Sequence, residues 1–450
     1  MPQVPPNLIF VLILGGAIAL GMTFLAVARP QRGAWIVAGM FFAASLGIQV
    51  DWLGRLVPTF WLRVQLWRSA LYLGTGALLF VVTITMLSQR RLQRPSAPTV
   101  MLLVIATFAG LLRVVHGNPG DGLATLGLAV ATIVPLGLFA TSFAQEWNDW
   151  YSLMRVLMVA NMVWVLGVFV QLVIKPSVLT VSQDARFLGL TGNPQHCAVY
   201  LSITGVVLLW LILHDPKRRH TWSWITLLGI DTVLLLWTGS RTGLLMLVVG
   251  SCMLLWRRLG RAMLILPVVA AIGIATVEMV PGIDITTASG RLTSTENTRV
   301  HAWGVLFAGG LENPVIGAGF DATREQDATE NSYLLAWAAY GFGMVLIVFT
   351  LGILCLIQSI SLLRARSRLG DEAPFVDLVV AYYPMFFLGA LFEGYIMARV
   401  GVTLVFLVLL SSLGSLLLRT VSGQYSETDA LDHAENLGEF ESNGSVDLAI

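Results

Sequence analysis

Residues 331–361 read NSYLLAWAAYGFGMVLIVFTLGILCLIQSIS, without one charged side chain. Roughly 20 consecutive apolar residues cross the hydrocarbon core of a bilayer as a helix, and this run exceeds that length. Inside lipid no water satisfies backbone amides, so the stretch must be helical, and nothing here shows the alternating ten-residue strands of a membrane barrel. Working outward, comparable runs lie at about 7–28, 33–50, 66–88, 98–116, 122–143, 152–174, 194–214, 222–238, 240–257, 261–280, 376–397 and 400–418. The expected fold is an all-α polytopic membrane protein with about 12–14 transmembrane helices. One long outer, periplasmic loop is expected between residues 281 and 330.

Composition agrees. Of 450 residues, 56% are hydrophobic and 12% charged, with a mean hydropathy of +0.78, which excludes an ordinary soluble enzyme. A formal net charge of +1 gives no bulk attraction to nucleic acid. Cys197, Cys252 and Cys355 stand in or beside apolar runs without metal-type spacing and read as small packing residues. The first apolar run has no cationic segment ahead of it and reads as an uncleaved span.

Basic residues orient the chain, because Lys and Arg collect in cytoplasmic connections. Lys217, Arg218 and Arg219, then Arg257, Arg258 and Arg261, then Arg364, Arg366 and Arg368 alternate with connections that lack such clusters. The segment 281–330 is therefore expected outside and the C-terminus inside. Residues 51–65, with Arg55 and Arg63 among Trp52, Phe60 and Trp61, resemble an interfacial amphipathic stretch. Three regions result: an N-terminal membrane bundle at 1–185, a polar-edged membrane region at 186–419 that includes the outer loop, and an acidic tail at 420–450. That tail is too poor in apolar residues to pack and is expected to be disordered and cytoplasmic.

Arginines expected outside work against this bias and carry the information. Arg186, Arg241, Arg291, Arg299 and Arg399 fall at outer span ends or in the outer loop, where guanidinium forks suit phosphate oxygens; snorkelling to lipid headgroups is the other reading. Asp231 lies deep in the span at 222–238, as a proton or substrate contact or as a hydrogen-bonded packing group. Glu278 and Glu393 read equally as headgroup-level carboxylates and as site residues, and His196 and His301 as structural.

Four pieces in order resemble the O-antigen ligase and polymerase superfamily. Arg186-Phe-Leu-Gly-Leu-Thr-Gly-Asn193-Pro194-Gln-His-Cys-Ala198 is similar to its first motif, and Thr238-Gly-Ser240-Arg241-Thr-Gly243 to its turn between two spans. Arg299-Val-His-Ala-Trp303 with Asn313-Pro314-Val-Ile-Gly317-Ala-Gly319 resembles its outer loop, and Glu330-Asn331-Ser332-Tyr333-Leu334 stands where the family usually has His-Asn-x-Tyr-Leu. The resemblance implies a membrane C-type glycosyltransferase in the bacterial inner membrane, active on its outer face. Its donor would be a polyprenyl-diphosphate-linked oligosaccharide and its acceptor a glycan or lipid, within membrane lipid and without nucleic acid, cofactor or metal. Glu330 in place of the usual histidine fits the exopolysaccharide or capsule-polymerase branches better than a lipopolysaccharide ligase.

Transfer from a diphosphate needs an oriented hydroxyl, a base for its proton and cations for the departing charge. Glu330 is the expected base, with Arg241, Arg299 and Arg186 as the diphosphate clamp. Asn193, Ser240 and Asn331 are supporting residues. Trp303 and Tyr333 read as sugar-stacking faces or as part of an aromatic belt. Gly317 and Gly319 either bring backbone close to a substrate or neighbouring loop or form an ordinary turn after Pro314. The outer carboxylates have no metal-type spacing. The competing reading is a transporter or flippase for a lipid-linked or polysaccharide substrate, with Asp231, Glu278 and Glu393 as coupling sites.

Overall fold

The computed structural model describes residues 94–142, 147–174, 179–180, 186–191, 193–215, 220–260, 299–325, 330–397 and 401–442, with isolated positions between 38 and 84. The expected spans at 7–28 and 261–280, most of those at 33–50 and 66–88, the stretch 51–65 and residues 281–298 lie outside the described residues. Arg291, Arg399 and Glu278 fall there too.

The described elements are helical: α1 Ala97–Val115, α2 Pro119–Ser142, α3 Trp147–Ile174, α4 Pro194–His214, α5 Thr221–Trp237, α6 Arg241–Leu259, α7 Arg299–Glu312, α8 Phe320–Glu325, α9 Ser332–Ala365, α10 Ala373–Ala390 and α11 Val402–Ser442. Seven of them, α1–α4 and α9–α11, are long and apolar enough to cross a membrane, and α5 is apolar but shorter. Each start has a local cause. Ser96, Asn193, Ser240 and Asn331 cap α1, α4, α6 and α9 with their side-chain oxygens, satisfying amides that a helix N-terminus leaves open. Pro194, at the first position of α4, needs no such partner.

α4, α10 and α11 form the centre, with 78%, 72% and 83% of their apolar stretches buried, whereas α1, α3 and α9 bury 39%, 39% and 33%. The peripheral helices keep apolar residues on the outward face as well. On α9 these are Phe342, Leu346, Phe349, Ile353, Leu356, Ile360 and Leu363. A stripe of that size would drive association in water; in lipid it is the ordinary outer surface.

Successive helices reverse direction, so the chain's charges sort to two ends. At one end, Arg155 Nε donates to Asp215 Oδ2 (3.1 Å), Arg366 grips Asp377 with two hydrogen bonds (2.8 and 2.7 Å), and Arg419 Nη2 donates to the Arg94 carbonyl. The opposite end carries α7, α8 and the starts of α4, α6 and α9.

Three boundaries differ from the sequence expectation. Part of the expected outer loop is helical, in α7 and α8: Arg299 and Glu312 bracket an apolar middle whose Leu306 and Gly310 are buried, so charged ends hid a packing face. The span expected at 376–397 stops at Ala390. Gly389 weakens the last turn, and the Tyr395 hydroxyl donates back to the Phe386 carbonyl. The backbone of α11 stays helical through Ser442, where the sequence suggests a disordered tail. Its Ala, Leu and Glu residues favour helix by intrinsic propensity.

α9 is interrupted at Gly341, whose φ of 78° and ψ of −178° belong to a region essentially restricted to glycine. The turn after α7 fills the interruption. Ala318 and Gly319 N–H donate to the Ala338 and Ala339 carbonyls (2.7 and 3.1 Å), and Phe342 N–H donates to the Pro314 carbonyl (2.8 Å). A Cβ on Gly317 would lie 2.3 Å from Ala339 C, and one on Gly341 2.0 Å from Val315 O. Gly317 thus serves backbone approach to a neighbouring element. Gly319, with φ of 95°, faces His116 at ordinary contact distance.

Candidate functional site

The cluster at the α7 end is built around one guanidinium. Arg299 is the first residue of α7. Its Nη2 donates to Glu393 Oε1 at 2.9 Å, its Nε lies 3.3 Å from Glu330 Oε2, and its charged carbon stands 5.4 Å from the Phe392 ring centroid. The two carboxylates differ in surroundings, with side-chain exposures of 29% for Glu330 and 7% for Glu393. Glu393 belongs to the non-helical segment between α10 and α11.

Ser332 holds that segment against the start of α9. Its hydroxyl donates to the Glu393 carbonyl (2.6 Å) and accepts from Ile396 N–H (3.2 Å). Glu393 N–H donates to the Gly389 carbonyl (3.0 Å). Glu330 is positioned by the same helix start, two residues before Ser332, and its own carbonyl accepts from Trp303 Nε1 (3.2 Å). Trp303 also lies 6.0 Å from Phe392, so an aromatic pair flanks the ion cluster.

Burial pushes the Glu393 carboxyl up from 4.5 to about 8; Glu330 adds to that rise, and Arg299 and Arg186 oppose it. Burial wins because a carboxylate removed from water is compensated by its charged neighbours only in part. Arg186, itself buried, donates from Nε to the Thr238 carbonyl at 2.8 Å. It joins the α5–α6 turn to the site and lies within electrostatic reach of Glu393. Arg241 is exposed at the start of α6, three residues beyond the carbonyl that holds Arg186.

The structure brings Arg299 into contact with Glu330 and Glu393 and leaves Arg186 within electrostatic reach of Glu393, while no contact joins Arg241 to this cluster among the described residues. Asn193, Ser240 and Asn331 direct their oxygens to helix amides. Tyr333 donates its hydroxyl to the Phe387 carbonyl (3.2 Å). Phe392 was not a candidate from sequence, and Ser332 entered only as one residue of the Glu330–Leu334 piece.

A second polar group sits inside the bundle. Asp231 of α5 is 1% exposed. Its Oδ2 accepts from Asn161 Nδ2 of α3 (2.8 Å) and lies 3.0 Å from Thr204 Oγ1 of α4, and the Tyr200 hydroxyl donates to Asn161 Oδ1. Its other oxygen meets no hydrogen-bonding side chain among the described residues.

The fold and cluster define a polytopic helical membrane protein with an ionised site at one end of its bundle. No protein-family model and no curated protein matches the chain.

Proposed function

We propose that this protein is a membrane glycosyltransferase resembling the O-antigen ligases and polymerases, one that transfers or polymerises glycan from a polyprenyl-diphosphate carrier on the outer face of the bacterial inner membrane. The observation that carries the reading is Arg299 held between Glu330 and Glu393, at the end of the bundle opposite Arg94, Arg366 and Arg419. The inside-positive bias favours a cytoplasmic position for those basic residues, which supports reading the cluster as lying at the outer leaflet.

In this reading Arg299 and Arg186, with exposed Arg241, receive the diphosphate, whose paired oxygens match guanidinium forks. Glu330, the more exposed carboxylate, accepts the proton of the acceptor hydroxyl. The acceptor oxygen forms a bond to the anomeric carbon, the bond from that carbon to the diphosphate oxygen breaks, and its electron pair leaves on the diphosphate. One displacement inverts the anomeric centre. Diphosphate departs without protonation, so a second acid of the glycosidase kind is unnecessary. Trp303 and Phe392 supply apolar ring faces beside the reacting sugar.

The test is transfer by purified full-length protein from a defined polyprenyl-diphosphate oligosaccharide, without nucleotide and with chelator present. Wild type is expected to form product with an inverted linkage, and Glu330→Gln to lose at least about 100-fold in rate, in line with loss of a general base. Full activity of Glu330→Gln removes it from the mechanism. Dependence on added divalent ion undoes the arginine clamp.

A second reading, a transporter or flippase, draws on the Asp231 network and on the interruption of α9, since broken helices and buried carboxylates mark transport sites. The interruption weighs less, because its backbone groups bond to residues 314–319.

A further inference from the structure

The last turn of α1 carries a guanidinium that the Arg299 cluster does not use. An arginine near the end of a membrane helix ordinarily reaches out to lipid headgroups. Arg113 does not face that way. Leu102, Ile105 and Ala109 of α1 are buried, and Arg113, four residues after Ala109, continues their face. Leu111 and Val115 mark the exposed side; Arg113, two residues from each, lies about 160° around the helix from both. Its Nε donates to the Tyr340 hydroxyl of α9 (3.3 Å) and its Nη1 to Thr125 Oγ1 of α2 (2.8 Å). Its charged carbon stands 4.4 Å from the ring centroid of Phe320, the first residue of α8, and that ring stacks on Tyr340 at 6.3 Å. Three elements thus hold one planar group in place.

All of these partners are neutral. Arg155, Arg299 and Arg366 each pair with a carboxylate, whereas none lies within ion-pair distance of Arg113 among the described residues. Asp321, beside Phe320, accepts instead from Asn118 Nδ2 at 2.7 Å. The negative end of the α1 dipole offsets about half a charge. A guanidinium donates through five N–H groups, of which Tyr340 and Thr125 take one each. Both N–H groups of Nη2 and one of Nη1 meet no acceptor among the described residues, and the side chain is only half-buried. An oriented, reachable cation with unused donors is what an oxyanion requires.

We infer that Arg113 is the centre of a second anion site, which takes a carboxylate or phosphate group between α1, α2 and α8. Its paired N–H groups fit the two oxygens of such a group, the Phe320 ring backs the cation on one face, and the two hydroxyl bonds orient it before a ligand arrives. His116 closes one side: its Nε2 lies 3.1 Å from the Ile316 carbonyl oxygen, tying the end of α1 to the turn before α8. No hydrogen bond or ion pair joins Arg113 to the Arg299 cluster among the described residues, and the inference does not rest on the glycosyltransferase reading.

The experiment titrates full-length protein in phosphatidylcholine nanodiscs with two probes, inorganic phosphate and glucuronate, by calorimetry at neutral pH. Arg299→Gln serves as the parent, so that binding at the other cluster does not contribute. The parent is expected to bind at least one probe, and Arg113→Gln added to it to bind at least about tenfold more weakly. Phosphate binding alone assigns the site to phosphate groups, glucuronate binding alone to the carboxylates of acidic sugars, and binding of both to either source. A second measurement needs no variant at Arg113. Phenylglyoxal modifies accessible guanidinium groups, and a bound probe at ten times its Kd should slow modification of Arg113 about tenfold, read by peptide mass spectrometry. If Arg113→Gln does not fold, this protection decides. No binding of either probe by the parent, equal affinity with and without Arg113→Gln, or an Arg113 modification rate that the bound probe leaves unchanged overturns the inference and leaves Arg113 as a tie between α1, α2 and α9.

Discussion

Gly341→Ala should detach the turn after α7 from the membrane helix it enters. The added Cβ falls 2.0 Å from Val315 O and 2.3 Å from Val315 C, both backbone atoms, so no side-chain rotation relieves the contact. The residue also sits at φ of 78°, which costs a non-glycine residue about 1–3 kcal/mol. Moving residues 315–316 away sacrifices the bonds of Phe342, Ala318 and Gly319, at about 1 kcal/mol each. The expected destabilisation is about 4–6 kcal/mol, read as a lowered unfolding free energy of detergent-solubilised protein followed by tryptophan fluorescence. Gly304→Ala on α7 is the control. Its Cβ meets nothing within 4 Å, and it should change stability by less than about 1 kcal/mol. A Gly341→Ala protein as stable as Gly304→Ala refutes the docking of the turn into α9.

Three further outcomes are expected. Asp231→Asn keeps an acceptor for Asn161 and Thr204 and should retain both transfer and a stability within about 1 kcal/mol of wild type; loss of function in a stably folded protein would favour the transport reading. Arg155→Ala leaves Asp215, whose side chain is 2% exposed, without its guanidinium and should cost about 3–5 kcal/mol in chemical denaturation, with a change below 1 kcal/mol contradicting the buried pair. The raised Glu393 carboxyl binds its proton more tightly in the folded chain than in the unfolded one. Its contribution to stability is therefore full below about pH 4.5 and is lost as pH rises through about 8, at about 1.4 kcal/mol per pH unit across that window. A stability difference between wild type and Glu393→Gln that does not change between those limits removes the assignment.

Much of this architecture was legible in the chain. Long uncharged runs announce membrane helices because lipid imposes one backbone solution, and the starts of α4, α6 and α9 follow from Asn193, Ser240 and Asn331 as capping residues. Arg299 stood out as an arginine expected outside against the inside-positive bias, and Glu330 as the residue standing where the resemblance has a histidine. Glu393 was a candidate too, but its pairing with Arg299 was hidden. Glu393 reaches Arg299 only because α10 ends early and Ser332 holds the following segment, a long-range contact with no local pattern. The helicity of 299–312 was hidden too, since its charged ends resemble a loop until Leu306 and Gly310 are seen packed. Gly341 lies within the long apolar run, and its role depends on a turn more than 20 residues earlier.

Release of polyprenyl diphosphate in a single turnover tests the central claim most directly, because it asks whether the cluster around Arg299 breaks a bond or passes a substrate on intact. Purified wild-type protein is predicted to free one polyprenyl diphosphate for each glycosidic bond formed. Arg299→Lys, which cannot present a planar fork, is predicted to slow that release about 100-fold or more. Donor recovered whole after crossing the bilayer, with no diphosphate released, would contradict the account.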